Sequence, residues 1–333
     1  MKTFSPLLLA GLAFSLATSH QGQAHDRTDW RTDREAFRSA HPAPMPRTTA
    51  DPTAYPVLEI DPAYLKEKLA QLSGAASVVI DGKRVTIPER GGLQGRKLAL
   101  RFLAQEYSAL GFAVSTQDFS RGSNFVAERK GSDPSQVLIL SAHVDSVNNA
   151  GANDDGAGVI AGLAIAKALQ GYSIKPTLRI LAFDLEELGL VGAKAYVKTL
   201  KGAKEKILGD VHLEMMATNS RKDGYFHVID CGKKGSVEIA DHVMGAIQAL
   251  RIDLKRYDAC TDRSDHAAFW DAGIPAVVLS ENFFGDDGDP CYHQGCDVLD
   301  SRLDFDYMAR ITRAAGSAVA RMLSASLQLT ARR

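Results

Sequence analysis

The sequence has few cysteines, no excess of charge of one sign and few long apolar runs. Its 333 residues include only four cysteines, too few for a disulfide scaffold in a chain of this length. Lys and Arg total 39 and Asp and Glu total 40, so no basic excess is present to bind a phosphate backbone, and we expect no nucleic acid partner. Apolar residues make up 45 % and charged residues 24 %, which excludes wholesale disorder, a collagen repeat and a coiled coil.

Three motifs that mark other enzyme classes are also missing. No His-Glu-x-x-His stretch is present, so the chain lacks the helix-borne metal site of one class of zinc proteases. No Gly-x-Ser-x-Gly elbow is present, so Ser264 and His266 do not predict a serine hydrolase. Gly156 and Gly158 form only part of a dinucleotide fingerprint and follow an acidic loop, which would repel a pyrophosphate.

The first 24 residues have the ordered features of a secretory signal peptide. Lys2 precedes an apolar stretch over residues 4–17 that is too short to span a bilayer as a helix. Small residues Gly22 and Ala24 fit a cleavage site after Ala24. We therefore expect a secreted or periplasmic protein, without a membrane anchor because no later stretch is apolar enough to span a bilayer.

The remaining chain changes character at about residue 57. Residues 25–56 are rich in charge, Pro and Thr without a lasting period, which predicts an extended or propeptide-like segment. From there to residue 333 apolar strands alternate with helices, which predicts a single domain: an α/β fold with a mostly parallel mixed sheet sandwiched between helices. The predicted strands are 112–119, 124–128, 136–142, 178–183, 210–215, 225–230 and 276–279, and the predicted helices are 62–72, 94–110, 156–169, 190–200, 237–250 and 305–327.

In an exported protein the four cysteines become candidates for disulfides, and three pairings are possible. Cys291 and Cys296 are close in sequence, which favours a bridge within one loop, and Cys231 and Cys260 would then pair by elimination. The alternative is a zinc site made of cysteines. It is disfavoured because no pair has the two-residue spacing of zinc ribbons.

Acidic residues and a histidine follow the predicted buried strands. His143 comes directly after one strand, Glu186 and Glu187 follow another, Glu214 lies at the end of a third, and Asp154 lies in a loop that leads into a helix. Since ligand sites in open α/β sheets lie outside the carboxyl ends of the strands, we expect these side chains to meet at one edge. Gathering so many carboxylates there requires a cation, and a mixed set of His and carboxylate ligands suits zinc, manganese or cobalt.

Five stretches of the sequence resemble the secreted bacterial leucyl aminopeptidases, which carry two co-catalytic zinc ions. They are VLILSAHVDSV, GANDDGAG, FDLEELGLVGAKAY, RSDHAAFWDAGIPAVVL and DPCYHQGCD, and they occur in family order over about residues 85–325. More distant relatives are glutamate carboxypeptidase II, the glutaminyl cyclases and the transferrin receptor. The resemblance implies a zinc exopeptidase fold of the phosphorylase/hydrolase-like type, and cleavage of N-terminal, hydrophobic residues from peptides with a free N-terminus.

The resemblance also implies a two-zinc ligand set. His143 matches a ligand of one zinc, Glu187 and His293 match ligands of the other, and Asp154 matches the carboxylate that bridges both. Glu214 occupies the position of the remaining ligand, where the aminopeptidases usually carry Asp.

Other matching residues acquire supporting roles. Glu186 matches the general base, Asp145 the carboxylate that orients the His143 ring, and Tyr292 a hydrogen-bond donor to the developing oxyanion. A cis peptide bond is implied between Asp154 and Asp155. The pair Cys291 and Cys296 flanks His293 as a disulfide does in some secreted members, which would hold the loop that carries His293.

Alternatives remain at this stage. The same scaffold serves a glutaminyl cyclase with one zinc, and the longer Glu214 leaves room for a carboxypeptidase or an N-acyl amino-acid hydrolase. A receptor-like module without metal is a third interpretation, although every ligand position carries a competent side chain. The acidic pairs could also be a simple turn and a helix start. We expect a monomer, with His266 in a pocket wall and His212 on the opposite side of the sheet from Glu214. We expect four further histidines at the surface: His25, His41, His227 and His242.

Overall fold

The computed structural model describes residues 55–285 and 287–324. The predicted signal peptide and nearly all of the predicted segment 25–56 lie outside these residues, as do His25 and His41. The helices described are α1 Pro62–Leu72, α2 Leu93–Ala109, α3 Gly156–Ala168, α4 Val191–Thr199, α5 Ser236–Leu250, α6 His266–Asp271 and α7 Phe305–Ser324. The strands are β1 Val78–Ile80, β2 Lys83–Val85, β3 Ala113–Phe119, β4 Gly122–Arg129, β5 Asp133–His143, β6 Pro176–Phe183, β7 Lys206–Glu214, β8 Tyr225–Ile229, β9 Lys255–Arg256 and β10 Ala276–Glu281.

Within the described residues, one eight-stranded sheet has the order β3-β4-β6-β5-β7-β10-β8-β9. The four central strands β6, β5, β7 and β10 are parallel to one another, while β3, β4 and β8 run antiparallel to a neighbour. The carboxyl ends of the central strands therefore lie at one edge of the sheet. This architecture confirms the predicted α/β fold with a mixed sheet between helices.

Helices cover both faces of the sheet because its central strands are apolar on both sides. In β5, Leu138 and Leu140 pack into one hydrophobic cluster, with α1, α2, α3, α5 and α7. The intervening Val137 and Ile139 pack into a second cluster, with α4 and α6. Alternate residues of a strand point to opposite faces, so a continuous apolar run supplies two cores at once.

Helix α3 begins directly beside the carboxyl ends of the central strands. Asp155 is its N-cap, and its Oδ1 accepts a hydrogen bond from Gly158 N at 2.9 Å. A Cβ at Gly158 would lie 2.5 Å from both Asp155 Oδ1 and Leu213 O, so only glycine allows this close approach to the sheet. The helix is buried along almost its whole length, and it fixes the position of the acidic loop that precedes it.

Two disulfides and several short elements complete the fold. The structure pairs Cys231 with Cys260 and Cys291 with Cys296. The sequence pattern did not predict the hairpin of β1 and β2, the two-residue strand β9 or the six-residue helix α6. The long C-terminal helix is described only to Ser324, so the last three residues of the prediction are outside the described part. Among the helices of the described residues, none combines the length and the apolar character that a bilayer crossing needs.

Candidate metal centre

The five predicted metal ligands meet at the carboxyl edge of the sheet. His143 ends β5 and Glu214 ends β7, whereas Glu187 lies in the loop after β6, Asp154 in the loop before α3, and His293 in the loop after β10. These five residues form two groups whose potential ligand atoms lie within 4.8 Å of one another. Asp154 belongs to both groups.

The first group joins His143, Asp154 and Glu214. His143 Nε2 lies 3.1 Å from Asp154 Oδ1 and 3.5 Å from Glu214 Oε1. His143 and Asp154 are buried, and the Glu214 side chain is nearly so. One nitrogen and two carboxylate oxygens thus converge on a space that water hardly reaches.

The second group joins His293, Asp154 and Glu187. His293 Nε2 lies 3.2 Å from Asp154 Oδ2 and 3.0 Å from Glu187 Oε2. The other oxygen of Glu187, Oε1, is buried and has no hydrogen-bond partner among the described residues. Asp154 therefore directs one carboxylate oxygen to each histidine, which is the arrangement that a ligand shared by two metal ions requires.

The charges at this edge demand positive counter-charge. Burial, followed by the nearby Asp154 carboxylate, raises the pKa of Glu187 to about 7. Burial lowers the pKa of His293, but its hydrogen bonds with Asp154 and Glu187 dominate and raise that pKa to about 10. Carboxylates that hold protons on a histidine so strongly would also hold a divalent cation, which would displace those protons. The donor set of nitrogen and carboxylate oxygen suits a transition metal.

Glu186 lies beside both groups and belongs to neither. Its carboxyl group is buried and lines the same cleft as the five candidate ligands. Burial, with help from the neighbouring acids Glu187 and Asp265, raises the pKa of Glu186 well above its usual value. Its backbone N–H donates to Asp145 Oδ1 at 3.0 Å, which fixes where the side chain starts.

Asp145 and Asp155 hold the loops that carry the candidate ligands. Asp145 Oδ2 accepts from Glu187 N at 3.2 Å, and Asp145 Oδ1 lies 3.6 Å from His143 Nδ1. Asp155 Oδ2 accepts from His143 N at 3.2 Å, and Asp155 Oδ1 accepts from Met215 N at 3.0 Å. The peptide bond between Asp154 and Asp155 is cis. Both carboxylates thus connect segments from different strands at the same edge.

An apolar pocket opens from the acidic edge. It is lined by the side chains of Met215, Ile229, Val278, Phe283 and Phe284, next to the candidate ligands. Tyr292 stacks on the His293 ring, with ring centroids 3.8 Å apart. Burial raises the pKa of Tyr292 well above its usual value, so its hydroxyl keeps its proton. The cleft therefore offers acidic groups at one end and an apolar wall at the other.

Comparison with known proteins identifies the family. The sequence profile described as Peptidase family M28 matches residues 124–319, which is more than half of the chain. This chain belongs to peptidase family M28. The resemblance seen in the sequence motifs is thereby confirmed at the level of the family.

Relatives with curated names match a large part of the M28 chain. Leupeptin-inactivating enzyme 1 of Streptomyces exfoliatus is 33 % identical over 286 residues, covering 79 % of this chain and 62 % of its own length. Aminopeptidase Y of Saccharomyces cerevisiae is 32 % identical over 241 residues, covering 68 % of this chain and 44 % of its own length. The M28 chain thus spans only about half to three fifths of the length of these relatives.

Solved structures share the fold. A zinc aminopeptidase from Bacillus subtilis, BSAP, superimposes with a TM-score of 0.70 at 17 % identity, over 80 % of the M28 chain and 96 % of its own. The LapA aminopeptidase of Legionella pneumophila gives a TM-score of 0.69 at 17 % identity, over 80 % and 73 % of the two chains. A glutaminyl cyclase from Fimbriiglobus ruber gives 0.65 at 19 % identity, over 80 % and 97 %. The fold alone therefore does not separate the peptidases from the cyclases.

Two histidines outside the ligand groups do not lie where the sequence analysis predicted. His212 was expected on the opposite side of the sheet from Glu214, but its Nε2 lies 3.5 Å from Glu214 Oε2. The prediction was wrong because residues two apart on a strand share a face. His227 was expected at the surface, yet it is fully buried, bonded to Tyr257 O and Phe284 N. His242 is partly buried, and His266 lines the apolar pocket.

Two residues that sequence reasoning missed hold the acidic loop of the M28 chain. Asp297 accepts from Asn153 N at 2.8 Å and from Asp154 N at 3.1 Å, one bond to each oxygen. Arg90 is fully buried and donates to Val144 O, Ala150 O and Gly151 O. Asp297 ends the motif DPCYHQGCD, which was a signal for its importance, but Arg90 lies in no motif that the sequence offered.

Removing the Arg90 guanidinium should destabilise the fold. In Arg90→Met, three backbone carbonyls lose a charged donor. Hydrogen bonds to charged groups contribute roughly 1.5–3 kcal/mol each. We expect the free energy of unfolding in urea to fall by about 3 kcal/mol or more. The exposed Arg84 provides the control, since Arg84→Met should change stability by less than about 0.5 kcal/mol. A loss below about 1 kcal/mol for Arg90→Met would contradict this role.

Proposed function

We propose that the protein is a secreted metallo-exopeptidase that hydrolyses the N-terminal peptide bond of peptides with the help of two zinc ions. One observation carries the proposal: Asp154 directs Oδ1 to His143 and Oδ2 to His293, so that two His-carboxylate groups share one buried carboxylate. The membership of family M28 supports the same conclusion, as do relatives that are named as aminopeptidases.

The candidate ligands fit zinc by their chemistry. His143, Asp154 and Glu214 would hold one ion, and His293, Glu187 and Asp154 the other. The unpartnered Glu187 Oε1 is explained by such an ion, since a buried carboxylate oxygen otherwise loses its hydration without compensation. Zinc bound there supplies Lewis acidity, which polarises a carbonyl group and makes water more acidic.

Glu186 is the proposed general base. Its carboxylate would accept the proton of the attacking water and deliver that proton to the leaving amine nitrogen. Its position beside both ligand groups, without membership of either, suits this role. Tyr292, which stacks on His293 and retains its hydroxyl proton, is placed to donate a hydrogen bond to the developing oxyanion.

The cleft also favours a particular substrate. The acidic side chains at one end attract the free α-ammonium group of a peptide, because opposite charges in a partly dry cleft interact strongly. The apolar side chains that line the adjoining pocket suit a hydrophobic N-terminal residue such as Leu, Phe or Met. We therefore propose peptides with a free, hydrophobic N-terminal residue as substrates.

A panel of aminoacyl-p-nitroanilides tests this function. The mature chain should cleave the free Leu, Phe and Met substrates, and the N-acetylated forms should be cleaved at least about 100-fold more slowly because they lack the ammonium charge. A chelator should abolish the activity, and zinc should restore it. Cleavage of only the blocked substrates would contradict an aminopeptidase and favour an N-acyl hydrolase. Cyclisation of a glutaminyl peptide with one zinc per chain would favour a cyclase.

A further inference from the structure

A chain of hydrogen bonds leads from the core of the sheet to Glu214. Ser141 Oγ lies 2.8 and 2.9 Å from the two carboxyl oxygens of Asp210 and 2.8 Å from His212 Nδ1. His212 Nε2 lies 2.8 Å from Ser264 Oγ, which donates to Glu214 Oε2 at 2.7 Å. The chain therefore crosses from β5 through β7 to the loop before α6, and it ends on a candidate metal ligand.

The chain is built into the dry interior. Ser141, His212 and Asp210 are at most 1 % exposed, and Ser264 is 5 % exposed. Ser264 has a single hydroxyl hydrogen, which it gives to Glu214, so His212 Nε2 must donate to Ser264 Oγ. The contact of His212 Nδ1 with Ser141 Oγ fixes the plane of the ring and therefore the direction of this Nε2–H bond.

Glu214 needs such support more than an aspartate would. Its extra methylene adds a rotatable bond, so holding its carboxylate in one place costs more side-chain entropy. The Ser264 hydroxyl donates a hydrogen bond to Oε2 of Glu214. The other oxygen, Oε1, faces His143 Nε2 at 3.5 Å. The hydrogen bond thus determines which oxygen of Glu214 is presented to the first ligand group.

We propose that His212 is a positioning residue, which holds the Ser264 hydroxyl against Glu214 so that Glu214 presents Oε1 to one metal ion. This inference rests on the proposed function, because it requires metal at the first ligand group. The second ligand group differs from the first by Glu187 and His293. Among the described residues, neither of these two is hydrogen-bonded to Ser141, His212 or Ser264. The effect of His212 is therefore selective for one of the two sites.

Metal affinity provides a readout that is independent of turnover. Zinc would be titrated into the metal-free full chain against a chromophoric chelator, so that the two dissociation constants are resolved. In His212→Leu, the affinity of one site should fall by 10- to 100-fold, as for other outer partners of metal ligands, while the second stays within about threefold. His242→Leu removes a partly buried histidine on α5 that is not part of these hydrogen bonds, so it should change the affinity of neither site.

Conservative variants separate positioning from general structural damage. The amide of Gln reaches approximately the place of Nε2 and that of Asn the place of Nδ1, so His212→Gln should keep much of the affinity, whereas His212→Asn should not. Ser264→Ala should reproduce the loss, and the double variant His212→Leu/Ser264→Ala should lose no more than Ser264→Ala alone, because both act on Glu214 through one bond. If His212→Leu does not fold, the Gln and Asn variants carry the test.

The outcomes distinguish this inference from the proposed function. Additive losses in the double variant, equal losses at both sites or unchanged affinity in His212→Leu would overturn the positioning role. A wild-type chain that binds two zinc ions but cleaves no peptide would overturn the proposed function, while the affinities would still decide the role of His212. A wild-type chain that binds no metal would overturn both.

Discussion

Replacing Glu186 with Gln should lower kcat by about 10²- to 10⁴-fold, the range that general acid–base catalysis contributes. The amide has nearly the shape of the carboxylate but cannot accept the proton of the attacking water. Glu186 lies in the same cleft as the two ligand groups and belongs to neither, so its loss should not remove metal. The measurement is kcat for a leucyl substrate, together with the zinc content of the purified variant.

The control for Glu186 is an exposed glutamate outside the cleft. Glu59→Gln should leave kcat and zinc content at the wild-type level, because Glu59 is exposed and lines no part of the cleft. If the turnover of Glu186→Gln stayed within about tenfold of wild type with full zinc, Glu186 would not be the base. Loss of zinc in parallel with activity would instead assign Glu186 to the metal ligands.

Replacing Asp154 with Asn should remove the ligand that we propose to be shared by two metal ions, and with it most of the metal. An amide offers one oxygen and no charge, so it cannot serve both the His143 and the His293 group. Mutating a residue that contacts a metal ligand typically lowers the metal affinity 10- to 100-fold. Losing a direct ligand of two sites should lower the affinity of each site by more than that. We therefore expect at most one zinc per chain and a fall in kcat/KM of about 10³-fold or more.

Metal analysis after dialysis and steady-state kinetics at saturating zinc together test the shared ligand. The exposed Asp271 supplies the matched control, since Asp271→Asn should bind two zinc ions and retain its activity. An Asp154→Asn chain that kept two tightly bound ions would contradict the bridging role. Recovery of full activity at high zinc concentration would show that Asp154 contributes affinity alone.

The central strands were predicted well because strands buried on both faces appear in the sequence as continuous apolar runs. In β5 and β6 almost every residue of the central part is buried, so the apolar runs stand out. The hairpin of β1 and β2 has no such apolar run, because each strand has three residues and most of the side chains of β2 are exposed. Helix α6 is likewise too short for a helical period to emerge from its six residues.

The candidate ligands were predicted from the sequence, but two of the residues that hold their loops in place were not. His143, Asp154 and Glu214 lie at strand ends or in a motif, so their positions could be read from local pattern. Arg90 contacts backbone 54 to 61 residues away, and Asp297 contacts backbone 143 and 144 residues away. Contacts at such separations depend on how the whole sheet is assembled, and no local pattern contains them.

The two bonds of Asp297 have a consequence for engineering. They tie the segment around Asp154 to the loop that carries His293, two pieces of chain that are far apart in sequence. Exchanging the C-terminal loop with that of a relative, in order to alter selectivity, would also shift the central carboxylate if the graft lacked this aspartate. The two segments are therefore a single module, and libraries or chimaeras built on this scaffold should vary them together.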